Sequence, residues 1–280
     1  MLPKGLPKLD GFLPEQPKEI FASPGKCIYC GSSNDLSDEH IIPFSLGGKL
    51  VLEKSSCPSC AKITSDFEQT CMRTMYGPLR ILYSLPTRRP KQRPKKLELK
   101  VKYRPEEKDW QTILVEQNRF PFLITFPYFD TPGIINEKPI DQLEGAVTKK
   151  LWIRGASPYY SFHDLLELLL KDLHAYSVFP ESKADISAFC KLLAKIAHSF
   201  AVAKLGLSGF KSTLEPLIIK NELSNCGYYI GSTYNDEPPK NQLHELALLE
   251  FKNIEAILVK VRLLSKLGTP TYIVAVGKRL

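Results

Sequence analysis

From Cys27 to Cys60 the chain reads CIYCGSSNDLSDEHIIPFSLGGKLVLEKSSCPSC. Two Cys-x-x-Cys pairs, Cys27/Cys30 and Cys57/Cys60, close the two ends of this stretch. Each pair turns two sulfurs toward one ion without backbone strain, and a couple of dozen residues between pairs suits a single tetrahedral site. Met1 to Lys8 lack the apolar run of an export signal, so the cysteines are expected to hold metal rather than disulfides. Four thiolates leave no open coordination position, so the expected Zn2+ is structural and any chemistry must come from other residues. Cys71, Cys190 and Cys226 stand alone.

Between the pairs lies Asp38-Glu39-His40-Ile41-Ile42-Pro43, followed by Leu46-Gly47-Gly48. The pattern predicts a short strand around Glu39 to Ile42, a turn at the two glycines and a return strand near Leu50 to Leu52. An acid beside a histidine on such a strand fixes a carboxylate and an imidazole in one mutual geometry. The imidazole can deprotonate a water for attack on phosphorus, while a divalent ion held partly by the carboxylate steadies the developing charge. After Cys60, the residues Ile63, Phe67, Cys71 and Met75 fall at steps of four and trace one helical stripe, which Pro78 must interrupt.

These residues resemble the zinc-containing HNH endonucleases, a branch of the ββα-metal nucleases. The resemblance rests on Cys27-Ile-Tyr-Cys30-Gly31, Glu39-His40-Ile-Ile-Pro43, Leu46-Gly47-Gly48 and Ser56-Cys57-x-x-Cys60, and covers residues 27–68, about a seventh of the chain. It implies that His40 is the general base and Glu39 a ligand of a catalytic Mg2+ or Mn2+. The chain also departs from the family's pattern. The position directly after the last cysteine, where the family usually has the Asn or His that completes the metal site, is Ala61, and the middle Asn has no counterpart, Leu52 being nearest. Two readings of Ala61 stay open: a natural residue, with Ser65 one turn on taking over part of the role, or an inactivating substitution.

Outside this stretch the sequence is less specific. A formal net charge of +8 favours an anionic partner, and it is concentrated locally. Arg88, Arg89, Lys91, Arg93, Lys95, Lys96, Lys100, Lys102 and Arg104 occur with a single acid, Glu98, among Pro86, Pro90 and Pro94. Such a run in isolation reads as a solvated linker. Beside a nuclease-like module it reads as an extended arm whose Arg88, Arg89, Lys91, Arg93, Lys95 and Lys96 contact the phosphates of DNA. Helices are predicted over Phe162 to Leu173 and Ile186 to Phe200, the second opened by a capping box at Ser182 and Asp185 and stopped at Gly206. Runs at 227–232, 245–251, 256–264 and 270–276 predict an antiparallel sheet. His163, His174, His198 and His244 are each read as structural.

The expected fold class is therefore α+β: a small ββα zinc module followed by a larger α+β domain with helices on an antiparallel sheet. The expected divisions are an extended arm (1–25), the HNH-like module (26–80), a basic connector (81–105) and a C-terminal domain (106–280). No stretch is read as long and apolar enough to span a bilayer, and the expected location is cytoplasmic. The expected activity is metal-dependent cleavage of DNA phosphodiester bonds, by analogy with restriction or phage-defence effectors. The C-terminal domain is left to choose substrate, protein partner or self-association. The competing reading is a zinc-containing nucleic-acid-binding or scaffold protein that does not cleave.

Overall fold

The computed structural model describes residues 12–137, 148–156, 161–233, 237–250 and 255–280. Its first unit is a three-stranded sheet with a helix laid beside it. β1 (Glu19–Phe21) pairs parallel with β3 (Leu50–Ser56), which pairs antiparallel with β2 (Ser37–His40). Between β2 and β3 the chain reverses at Gly47, whose φ of +83° favours glycine, and Gly48, where an added Cβ would lie 2.0 Å from the Ile42 carbonyl oxygen. α1 (Pro58–Arg73) follows, with Pro58 in its first turn, where the missing N–H costs nothing. Its buried side chains are Cys60, Thr64, Phe67, Cys71 and Met72; of the expected stripe Phe67 and Cys71 are among them, while Ile63 is half-buried and Met75 lies past the helix end. The helix ends at Arg73 and α2 (Gly77–Leu82) restarts with Pro78 in its first turn.

Next comes a small unit around its own core. β4 (Lys96–Lys102) pairs with β5 (Gln111–Glu116), and β6 (Phe122–Phe129) with β7 (Thr148–Ala156). α3 (Phe162–Leu173) leads to β8 (Ser177–Phe179), which returns to β4. Leu99, Val115, Phe122, Leu165 and Leu169 pack together there.

α4 (Ile186–Leu205) is the central strut. Its residues are apolar on nearly every side, the signature of a helix buried all round. By length and composition it meets the measure of a membrane-crossing helix, which corrects the reading that no stretch does, but 78% of that window is buried inside the fold. Asp185 alone caps it, accepting from the Ala188 N–H at 2.8 Å; Ser182 takes no part, because the helix starts directly after Asp185. Gly206 ends it as expected. Beyond lie β9 (Phe210–Ser212), α5 (Glu215–Ile219), α6 (Cys226–Tyr229), β10 (Ile230–Ser232), β11 (His244–Leu249), β12 (Ala256–Leu263) and β13 (Tyr272–Arg279). The sheet is antiparallel in the order β10-β13-β12-β11, with β9 also on β13.

One continuous core joins the N-terminal unit to this sheet through α4 and includes Ile28, Ile41, Phe67, Phe189, Leu193, Val259 and Val274. Buried histidines seal the seam. His198 Nε2 lies 2.8 Å from the Ile28 carbonyl and its Nδ1 lies 3.1 Å from Ser212 Oγ. His244 Nδ1 accepts from the Leu264 N–H at 3.2 Å, so its Nε2–H donates to the Leu46 carbonyl at 3.0 Å and the ring is neutral. Burial pushes the His244 pKa down to about 4. The unfolded chain therefore takes up the proton first as pH falls, and stability drops between pH 6.5 and about 4. From this group alone the expected loss is about 3 kcal/mol. Urea unfolding at pH 7 and pH 4.5 measures it, and an unchanged midpoint would contradict the neutral, buried ring.

Candidate active site

The four cysteines converge as the spacing requires. The first knuckle is a tight turn in which Gly31 N–H donates to the Cys27 carbonyl at 2.9 Å, with Gly31 at a φ of +77°. The second knuckle runs into α1, where Cys57 is the residue before the first turn. All four sulfurs lie within 4.8 Å of one another, and Cys30 and Cys57 are 3.5 Å apart. A tetrahedral ion with Zn–S bonds near 2.3 Å needs sulfurs about 3.8 Å apart, so the set fits zinc. Ser59 Oγ lies 3.2 Å from Cys57 Sγ.

Beside this staple is a cavity of about 900 Å3. One wall is β2, with Asp38, Glu39 and His40; the facing wall is α1, with Ala61, Thr64, Ser65 and Glu68. These four fall at helical steps of three and four, on one face. The third wall is basic: Arg73, Arg80, Arg88, Arg89 and Arg93. Arg80 is occupied structurally, its Nε donating to the Ser45 carbonyl at 3.0 Å, and Arg93 donates to the Leu85 carbonyl. Arg73 donates to Gln69 Oε1 at 3.0 Å. Arg88 and Arg89 are exposed and, among the described residues, make no ion pair.

His40 is half-buried, with the Phe44 ring edge-on at 6.0 Å. Burial, then the positive charges of Lys195 and Arg88, hold its pKa below that of a free imidazole against the opposing pull of Glu68 and Asp38. It is therefore neutral at pH 7 and able to accept a proton.

Glu39 is placed differently from what the resemblance implies. Its Oε1 lies 2.6 Å from Lys195 Nζ, reaching in from the middle of α4. The same ammonium lies 2.9 Å from Glu68 Oε1 and 3.4 Å from the Ile41 carbonyl, and it donates to the His40 carbonyl. Lys195 is fully buried. Burial opposes its charge, but Glu39 and Glu68 more than offset this and hold its pKa above the usual lysine range. Burial raises the Glu68 pKa, with Lys195 opposing. Among the described residues, the cysteine quartet is the only group of three or more His, Cys, Asp and Glu side chains close enough to share an ion. Ala61 offers no donor atom. The residues beside His40 therefore do not fit the divalent ion that the resemblance implies.

Residues 27–72 match the HNH endonuclease family. No curated protein and no solved structure matches the chain. Cys27, Cys30, Glu39, His40, Cys57, Cys60 and Ala61 all lie within the matched segment, and the rest of the fold lies outside it.

Of the sequence-predicted phosphate contacts, Arg88, Arg89 and Arg93 line the cavity of His40; Lys91, Lys95 and Lys96 do not. Lys96 lies at the start of β4 and pairs with Glu116 at 3.4 Å. Sequence reasoning missed Glu68, Arg73, Arg80 and Lys195. The signal for Lys195 was a charge inside an apolar helix, since a buried charge requires a partner.

Proposed function

We propose that this chain is an endonuclease that binds a nucleic-acid strand across the arginine wall and hydrolyses a phosphodiester bond beside His40. The observation that carries the reading is one cavity holding a neutral imidazole on the HNH strand and two exposed guanidinium groups that make no ion pair among the described residues. Neutral His40 takes the proton of an attacking water, whose oxygen bonds to phosphorus as the P–O bond to the leaving sugar oxygen breaks and that oxygen takes a proton from solvent. Arg88 and Arg89 hold the phosphate and offset its charge as the pentavalent state forms. Zinc in the cysteine quartet fixes the strand that carries His40 against α1. The substrate class is DNA, with the basic run supplying contacts to the backbone rather than to bases.

A second reading, binding without cleavage, is favoured by Ala61, which removes a donor from the position where the family completes its site. Both readings require the arginines. Replacing Arg88 and Arg89 together by Ala is expected to weaken binding equally across sequences and to reduce the slope of log K against log salt by about 2. A salt titration of duplex and single-stranded DNA checks this; an unchanged slope would remove the arginine wall from the binding site.

A further inference from the structure

We infer that the Lys195 ammonium occupies the cation position of this site, so that Glu39 and Glu68 hold a charge supplied by the protein rather than a divalent metal ion. The inference rests on the nuclease reading for the identity of the position, and on the geometry alone for its occupant. Lys195 lies within 3.4 Å of four oxygens: Glu39 Oε1, Glu68 Oε1 and the carbonyls of His40 and Ile41. An ammonium is a compact point charge, and here it donates to the two carbonyls while ion-pairing with the two carboxylates. A magnesium ion, by contrast, requires near-octahedral oxygen ligands at about 2.0–2.1 Å. An ion bound there to Glu39 Oε1 would lie next to Nζ, in a region of low dielectric where like charges repel strongly.

Two features turn this contact into a role. Ala61, on the facing helix, offers the metal nothing. Lys195 comes from α4, more than 150 residues along the chain from the strand it neutralises, so the charge at the HNH site is balanced only when the C-terminal part has folded against it. With Glu39 neutralised from behind, a phosphate can approach His40 without a bound divalent ion to screen that carboxylate. Lys195 is fully buried and does not line the cavity, so it acts as a positioning residue that sets the charge of Glu39 and the place of the His40 backbone.

Calorimetric titration of Mn2+ into the zinc-loaded full chain tests this without nucleic acid, so its result stands apart from whether the chain cleaves anything. The wild type and Glu39→Gln are expected to give the same trace, with no site tighter than about 1 mM. Lys195→Met, which frees two facing carboxylates, is expected to gain one Mn2+ site at least tenfold tighter and a Mn2+-dependent rise in Tm. Should Lys195→Met fail to fold, the comparison of wild type with Glu39→Gln decides alone. Wild-type Mn2+ binding that Glu39→Gln removes would overturn the inference, as would a folded Lys195→Met protein with no new site.

Discussion

Stripping the metal from Cys27, Cys30, Cys57 and Cys60 is expected to cost the chain far more than a local loop. The quartet pins two knuckles that are otherwise held by short turns, and binding free energy at structural zinc sites, of the order of 10 kcal/mol, is folding free energy. The first knuckle is also where the C-terminal part is anchored: Ile28 accepts from His198, and the Tyr29 hydroxyl lies 3.2 Å from Ser199 Oγ. Releasing it uncovers part of the core shared with α4. Cys60→Ser is therefore expected to abolish stoichiometric zinc and to lower the Tm of the whole chain in one transition, rather than melting residues 26–80 alone. Elemental analysis and scanning calorimetry check both halves. One zinc per wild-type chain is expected; a stoichiometry near zero, or a variant with unchanged Tm, would contradict the staple.

The second large effect concerns His40. Burial and the charges of Lys195 and Arg88 hold its imidazole below the ordinary imidazole pKa, so that it is neutral at pH 7. Removing a positioned general base costs about 10²–10⁴-fold in rate. His40→Ala is expected to lose cleavage on that scale while keeping its affinity, because the phosphate contacts lie on the arginine wall. A second signature follows from the lowered pKa. Activity should persist as pH falls through 6.5 and decline only below it, once the imidazole is protonated. Single-turnover rates from pH 5 to 8 measure that limb; a limb centred above pH 7 would assign the base elsewhere.

Much of this architecture was legible in the sequence because it is written locally. The knuckles, the Gly47-Gly48 turn, the stripe along α1 and the apolar length of α4 each follow from residues a few positions apart. That the runs of β10 to β13 form an antiparallel sheet follows from apolar alternation broken by turn residues; their order, with β13 between β10 and β12, does not. What was not legible depends on distant pairs. β1 is three residues whose partner lies about thirty positions on, with no pattern of its own. The separate core under β4 and β8 joins segments that are adjacent only after folding. At the site, Glu39 reads as a ligand from its neighbour His40, and only the packing of α4 reveals that a lysine already holds it. Local pattern announces what a residue is able to do; the partner brought to it by the fold decides what it does.

In the proposed reaction, His40 and the arginine-walled cavity hydrolyse nucleic-acid backbones without a divalent ion at Glu39. The most direct measurement follows binding and cleavage together, for zinc-loaded wild type and His40→Ala, on labelled single- and double-stranded DNA with no added Mg2+ or Mn2+. Both proteins are expected to bind with similar affinity, and only the wild type to cleave. Cleavage that survives in His40→Ala, or a wild type that binds and leaves every substrate intact, would contradict it.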